Sequence, residues 1–141
     1  MMKRNVTVLA VLAMCAALCR AADGPIKISC VGDSITFGAG VEDRNKNHYP
    51  LVLEKLLGEK YKTGNFGVSG TTLLKKGDNP YWKQKAFKDA TEFAPNIVVI
   101  KLGTNDTKPQ NIKFKDEFVT DLTALVDHFA DQRIGDLHGR K

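Results

Sequence analysis

An α/β domain built on a parallel sheet is the fold class this sequence predicts, and three observations predict it. Apolar or β-branched runs that read as strands occur at residues 26–31, 61–66 and 96–103. Helix-patterned segments separate and follow them. Each strand also runs out into a polar loop containing glycine: "GDSITFG", "GVSGTT" and "GTND". Strands that alternate with helices argue for parallel pairing. In such sheets ligands gather outside the carboxyl ends of the strands. One glycine loop is weak support for a site; three at the same sheet edge are much stronger.

Residues 1–21 stand apart from this pattern. Lys3 and Arg4 form a basic start, Val6 to Leu18 is almost wholly apolar, and Cys19 and Ala21 occupy the small positions before a cleavage site. That is the layout of a secretory signal peptide, and it is too short to span a bilayer comfortably. It predicts a secreted or periplasmic protein with no membrane attachment after cleavage. A lipid anchor on Cys15 or Cys19 is disfavoured by bulky Met14 and Leu18.

Without that segment, three of the 21 basic residues are lost and none of the 16 acidic ones, so the net charge falls from +5 to +2. The basic balance is therefore partly a targeting feature and gives no support for a nucleic-acid partner. Only Cys30 remains after cleavage, so no intrachain disulfide can form and residues 22–141 must rest on a hydrophobic core.

The elements follow in order. "IKISCV" (26–31) alternates and then ends apolar, as a strand does. Residues 49–57 read as a helix, with Pro50 in its first turn, Gly58 at its end, and Leu53, Leu56 and Leu57 on one face. "YKTGNF" (61–66) reads as a short strand and 67–80 as a loop. A short helix over 86–93 ends before Pro95. "NIVVIKLG" (96–103) is apolar except for Lys101, which predicts a strand buried on both faces. Residues 114–130 form an amphipathic helix, with Phe118, Leu122, Leu125, Val126 and Phe129 on its apolar side. No repeat, low-complexity stretch or linker divides the chain.

The three loops carry parts suited to acyl transfer, which needs a nucleophile and donors for the oxyanion. Ser34 sits on the turn just past the first strand. Gly70 offers a backbone N–H with no side chain in the way. Asn105 offers a side-chain amide, and the Ser34 N–H is a third donor. Taken singly, each also fits a structural part: a helix cap, a turn glycine, an Asx turn.

With these residues the sequence resembles the SGNH, or GDSL-type, hydrolase superfamily. "GDSIT" looks like its first block, "NFGVSGTT" its second and "GTND" its third. The resemblance covers residues 26–126. It implies a flavodoxin-like three-layer fold, ester hydrolysis without a metal or other cofactor, Ser34 as nucleophile, and Gly70 and Asn105 in the oxyanion hole. "GDSITFGAGVEDR" and "NHYP" are closest in texture to secreted bacterial carbohydrate or sialate O-acetylesterases, which implies a small-molecule or carbohydrate ester as substrate. Lysophospholipases and thioesterases of the same superfamily are the alternative.

The resemblance fails at the fourth block, Asp-x-x-His, which supplies the base and its orienting carboxylate. Asn45, Leu125 and Gly135 stand three residues before His48, His128 and His138. Asp136 and His138 are one position too close together. A helix over 114–130 would carry the chain roughly 25 Å from the active edge. Residues 131–138 could return only if almost fully extended, roughly 27 Å, and "DQRIGDLH" is not a strand.

His48 is expected to cap a helix or lie on the surface, and His128 to face solvent. The domain is expected to be incomplete at its C-terminus, through a frameshift, a premature stop or a wrong gene boundary. It would then hold the nucleophile and oxyanion groups without the base. A non-catalytic remnant or binding protein is the competing expectation. A nucleotide-binding domain is disfavoured, because neither GxxxxGKS/T nor GxGxxG occurs.

The remaining features are weaker. Asp33 and Asp106 are expected to brace loop backbone. The lysines around Tyr81 and Trp82 read either as a sugar- or anion-binding loop or as a solvated loop with a docked aromatic. Lys101 is expected to bury its stem and extend its ammonium to an edge.

Overall fold

The computed structural model describes residues 24–138, with side chains described through residue 132. The segment read as a signal peptide lies outside the described residues. The sheet has three parallel strands in the order β2-β1-β3. They are β1 (Ile26–Gly32), β2 (Tyr61–Gly67) and β3 (Ile97–Lys101). Between β1 and β2 lie α1 (Ser34–Phe37), α2 (Arg44–Asn47) and α3 (Tyr49–Leu57). α4 (Lys85–Glu92) leads into β3, and α5 (Pro109–Ile112) and α6 (Phe118–His138) follow it.

The alternation of β1 sorts the layers. Ser29 and Val31 face α4 and α6: the Ser29 hydroxyl donates to the Ala90 carbonyl at 3.3 Å, and Val31 joins Leu73, Tyr81, Ala90, Leu125 and Phe129 in the core. Cys30 faces the other way, towards Tyr49 of α3, and is a buried free thiol. Burial pushes the Cys30 thiol up from its usual range. The result is a helix–sheet–helix sandwich.

Glycines let α1 lie against the strand ends. A Cβ on Gly67 would sit 2.6 Å from the Thr36 carbonyl carbon and 2.8 Å from the Phe37 Cα. A Cβ on Gly32 would stand 2.6 Å from the Lys101 carbonyl oxygen. Neither space admits a side chain without moving backbone.

Four expectations need correction. β3 is not buried on both faces. Val98 and Ile100 pack on the core, but Ile97 and Val99 are 46% and 37% exposed. The cause is topological: Ile97 and Val99 align with Ile28 and Cys30, hence face the α3 side, and α3 packs over β2 rather than over β3. Val126 is 48% exposed and borders an apolar groove with Ile97, Val98, Ile100, Phe129 and Ala130.

On α3 the buried residue is Pro50, while Leu56 is 80% exposed and Leu57 is also outward. Glu54 is drawn inward instead, accepting the Thr63 N–H at 2.7 Å and pairing with Lys62 at 2.9 Å. Finally, the apolar helix does not stop at 130. It begins at Phe118, after a 3-10 turn at Lys115–Glu117, and continues to His138.

Candidate active site

The sheet register brings the three predicted residues to one edge. Gly32 aligns with Gly67 on one side and with Lys101 on the other. Ser34, Gly70 and Asn105 therefore leave the sheet two, three and four residues past aligned positions. Two hydrogen bonds tie the exits together: Val68 N–H to the Gly32 carbonyl at 2.9 Å, and Asp33 N–H to the Lys101 carbonyl at 3.2 Å.

Ser34 opens the single turn α1. The turn is closed at its start by Asp33, whose Oδ1 accepts the Ile35 N–H at 2.9 Å, and at its end by Gly38 in the left-handed region, φ 89°. The first N–H groups of a helix have no intrahelical acceptor, so the Ser34 N–H is free for an incoming oxygen. The Ser34 side chain is half-buried, and its hydroxyl takes part in no hydrogen bond among the described residues. Beneath α1, the Thr36 hydroxyl lies 3.4 Å from the Tyr49 hydroxyl, whose pKa burial pushes up to about 12. Tyr49 is thus neutral packing rather than a base.

Gly70 has φ +82°, where a side chain is strained, and a Cβ there would meet only the Asn79 amide nitrogen at 3.7 Å. Its N–H reaches no acceptor among the described residues. Asn105 is buried and donates one amide hydrogen to the Thr71 carbonyl at 2.9 Å. A primary amide has two hydrogens, so one remains for a ligand. All three predicted donors are thus compatible with an oxyanion hole, and the Asn105–Thr71 bond joins the loops that carry two of them.

The flanking acids act as expected. Asp33 braces α1, and Asp106 accepts the N–H groups of Leu73 at 3.1 Å and Leu74 at 2.7 Å. Asp33 Oδ2 is the single buried side-chain oxygen or nitrogen without a partner among the described residues.

Asn111 and Asp121 carry no signal in the sequence that marks them out. Asn111 is buried between the loops, and Asp121 accepts the Lys75 N–H at 2.8 Å. Asn111 lies before the helix expected at 114–130 and Asp121 off its apolar side, and their partners lie 33 and 46 positions away.

Neither His48 nor His128 hydrogen-bonds Ser34. His48 caps α3, its Nδ1 accepting the Leu51 N–H at 3.2 Å. Burial, then the neighbouring Arg44, hold its pKa below the ordinary 6.5. His128 does not face solvent as expected. Its Nε2 lies 2.8 Å from the Thr91 hydroxyl, and its ring lies tilted against Phe87 and edge-to-face with Phe129. The backbone at His138 belongs to the far end of α6.

The lysine-rich loop favours the structural reading. Tyr81 is buried and donates to the Phe66 carbonyl at 2.7 Å; the Trp82 ring N–H donates to the Leu73 carbonyl at 2.8 Å. Lys75, Lys76, Lys85 and Lys88 pair with Asp121, Glu117, Asp89 and Glu92. The Lys101 ammonium reaches Thr104 at 3.0 Å. Among the described residues, no cluster of His, Cys, Asp or Glu is suited to a metal, and no helix is long and apolar enough to cross a membrane.

Residues 30–137 match the GDSL-like lipase/acylhydrolase family. The chain belongs to that family. An acetylxylan esterase from Xylanibacter ruminicola is 50% identical over 101 residues, which make up 72% of this chain and 21% of that protein. The fold is that of AlinE4, an SGNH-hydrolase family esterase, at TM-score 0.55 and 22% identity, covering 78% of this chain and 56% of that one. A mutant of the same esterase matches at TM-score 0.55 and 21% identity, covering 77% and 55%. The chain thus spans about a fifth of the acetylxylan esterase and little more than half of AlinE4.

Proposed function

We propose that the chain is the nucleophile- and oxyanion-bearing part of a secreted SGNH-type serine esterase that removes acyl groups, chiefly acetyl, from carbohydrates. The observation that carries this reading is the convergence at one sheet edge of an unbonded Ser34 hydroxyl, an unbonded Gly70 N–H and a half-used Asn105 amide. The likeness to an acetylxylan esterase supports acetylated carbohydrate as the substrate class.

In this reading Ser34 Oγ attacks the ester carbonyl carbon and gives up its proton to a base. Charge develops on the carbonyl oxygen, where the Ser34 N–H, Gly70 N–H and Asn105 amide stabilise it. Collapse expels the alcohol and leaves acyl-Ser34, and attack by water then releases the acid. The His48 and His128 rings bond the Leu51 N–H and the Thr91 hydroxyl, and neither bonds Ser34. A serine nucleophile without its base loses several orders of magnitude in rate. That supports the second reading, a family member that is not catalytic as this chain.

Hydrolysis of p-nitrophenyl acetate and acetate release from acetylated xylan, each measured beside Ser34→Ala, separate the two. Turnover abolished by Ser34→Ala establishes the esterase. Equal rates in both proteins leave a chain that carries the site but does not turn over.

A further inference from the structure

We propose that Asn111 is the positioning residue for the Asn105 oxyanion donor, a role that rests on the esterase reading above. Asn111 lies in α5 with no exposed surface. Each polar atom of its side chain is engaged. Oδ1 accepts the Asp78 N–H at 2.9 Å, and Nδ2 donates to Asp78 Oδ1 and to the Asn105 carbonyl, both at 2.9 Å. An amide has two hydrogens and this one uses both. Full engagement fixes the orientation of the Asn111 side chain and, through it, the peptide carbonyl of Asn105.

Asn105 is consequently held at two points, its side chain by the Thr71 carbonyl and its backbone carbonyl by Asn111 at 2.9 Å and the Lys108 N–H at 3.3 Å. The two-point hold leaves the second Asn105 amide hydrogen with one direction. Asp78 extends the clamp into the loop that follows Gly70, and its other oxygen accepts from Gln110 at 2.8 Å. The loops bearing Gly70 and Asn105 are thereby joined by Asn105–Thr71, Asp106–Leu73 and Leu74, and Asn111–Asp78. Of these side-chain ties between the loops, the Asn111 clamp is the one that reaches the Asn105 backbone. Its loss leaves the Asn105 carbonyl with only the longer bond from the Lys108 N–H, 3.3 Å, and loosens Asn105 against the Asp78 loop. Oxyanion donors act through placement fixed before the reaction, and misplacement of about 1 Å costs on the order of 100-fold.

The test reads Asn105 directly and does not depend on turnover. The side-chain amide resonances of Asn105 in the 15N-labelled chain are assigned by their loss in Asn105→Ala. They are then compared with those in Asn111→Ser and Asp78→Ala. Asp78 is exposed, so its variant folds even if removal of buried Asn111 does not. Displaced Asn105 side-chain signals in either variant, with β1 amides unmoved, are expected. Unmoved Asn105 signals overturn the proposal.

If Ser34-dependent hydrolysis is present, Asn111→Ser lowers kcat about 10-fold at unchanged KM, and lowers it no further in the Asn105→Ala background. Equal losses in both backgrounds would show a general structural role and overturn the proposal. Absence of Ser34-dependent hydrolysis counts against the esterase reading alone, because the resonance shifts are still read.

Discussion

Asp106 is buried, and both its oxygens accept backbone N–H groups of the loop that follows Gly70. Asparagine in its place keeps the shape but turns an NH2 group towards a buried N–H. Hydrogen bonds to a charged acceptor are worth about 1.5–3 kcal/mol, and an orphaned buried donor adds to the loss. Asp106→Asn should therefore destabilise the chain by about 2 kcal/mol, measured as a lower urea midpoint at unchanged slope. An unchanged midpoint would mean the loop is held by its other bonds. The bracing role of Asp33 and Asp106 was legible because each flanks a site residue at a strand exit, where loop N–H groups need acceptors nearby. Asn111 was not legible, since "KPQNI" looks like an exposed turn until the Asp78 loop folds over it. His128 was misread for a related reason: helical spacing set it off the apolar stripe, but Phe87 and Thr91 of α4 reach around to meet it.

Helix ends were easier to read than helix faces. Pro50 and Gly58 marked α3, and Ala94, with φ 50°, ends the segment that Pro95 predicted would stop. The buried side of α3 depended on Thr63, whose hydroxyl donates to the Pro50 carbonyl at 2.7 Å, a contact no helical period announces. The α3 start also titrates. His48 Nδ1 accepts the Leu51 N–H only when unprotonated, and its folded-state pKa lies below the ordinary 6.5. The native chain therefore binds this proton more weakly than the unfolded chain. The stability it contributes is complete above the unfolded value and is lost as pH falls through the folded one. The ring is partly exposed, so the loss stays below about 1 kcal/mol. Hydrogen exchange at Leu51 and Val52, corrected for intrinsic rates, should accelerate as pH is lowered below about 6.5. His48→Asn, a cap that does not titrate, should remove that dependence. A dependence that survives His48→Asn would place the titrating group elsewhere.

At the scale of the whole molecule, the α/β class and the parallel pairing follow from the alternation of strands and helices, and both were legible. The burial of β3 was not, because an apolar strand reads the same whether its neighbours are present or absent. β3 pairs with β1 on one side and with no strand on the other among the described residues. Its outer edge, Ile97 and Val99, and Val126 across the groove leave apolar surface beside unpaired backbone groups. An exposed strand edge of this kind templates pairing with another chain. Light scattering should therefore show association that grows with protein concentration. Val99→Lys should suppress it, because a lysine on an edge strand opposes a second strand. Val99 is already 37% exposed and its side chain points away from the core cluster, so the substitution should leave the melting temperature nearly unchanged. Association that persists in Val99→Lys would shift the contact to the outer edge of β2 or to Leu56 on α3. Disappearance of association together with folding would mean that β3 needs its apolar outer face even without a neighbour.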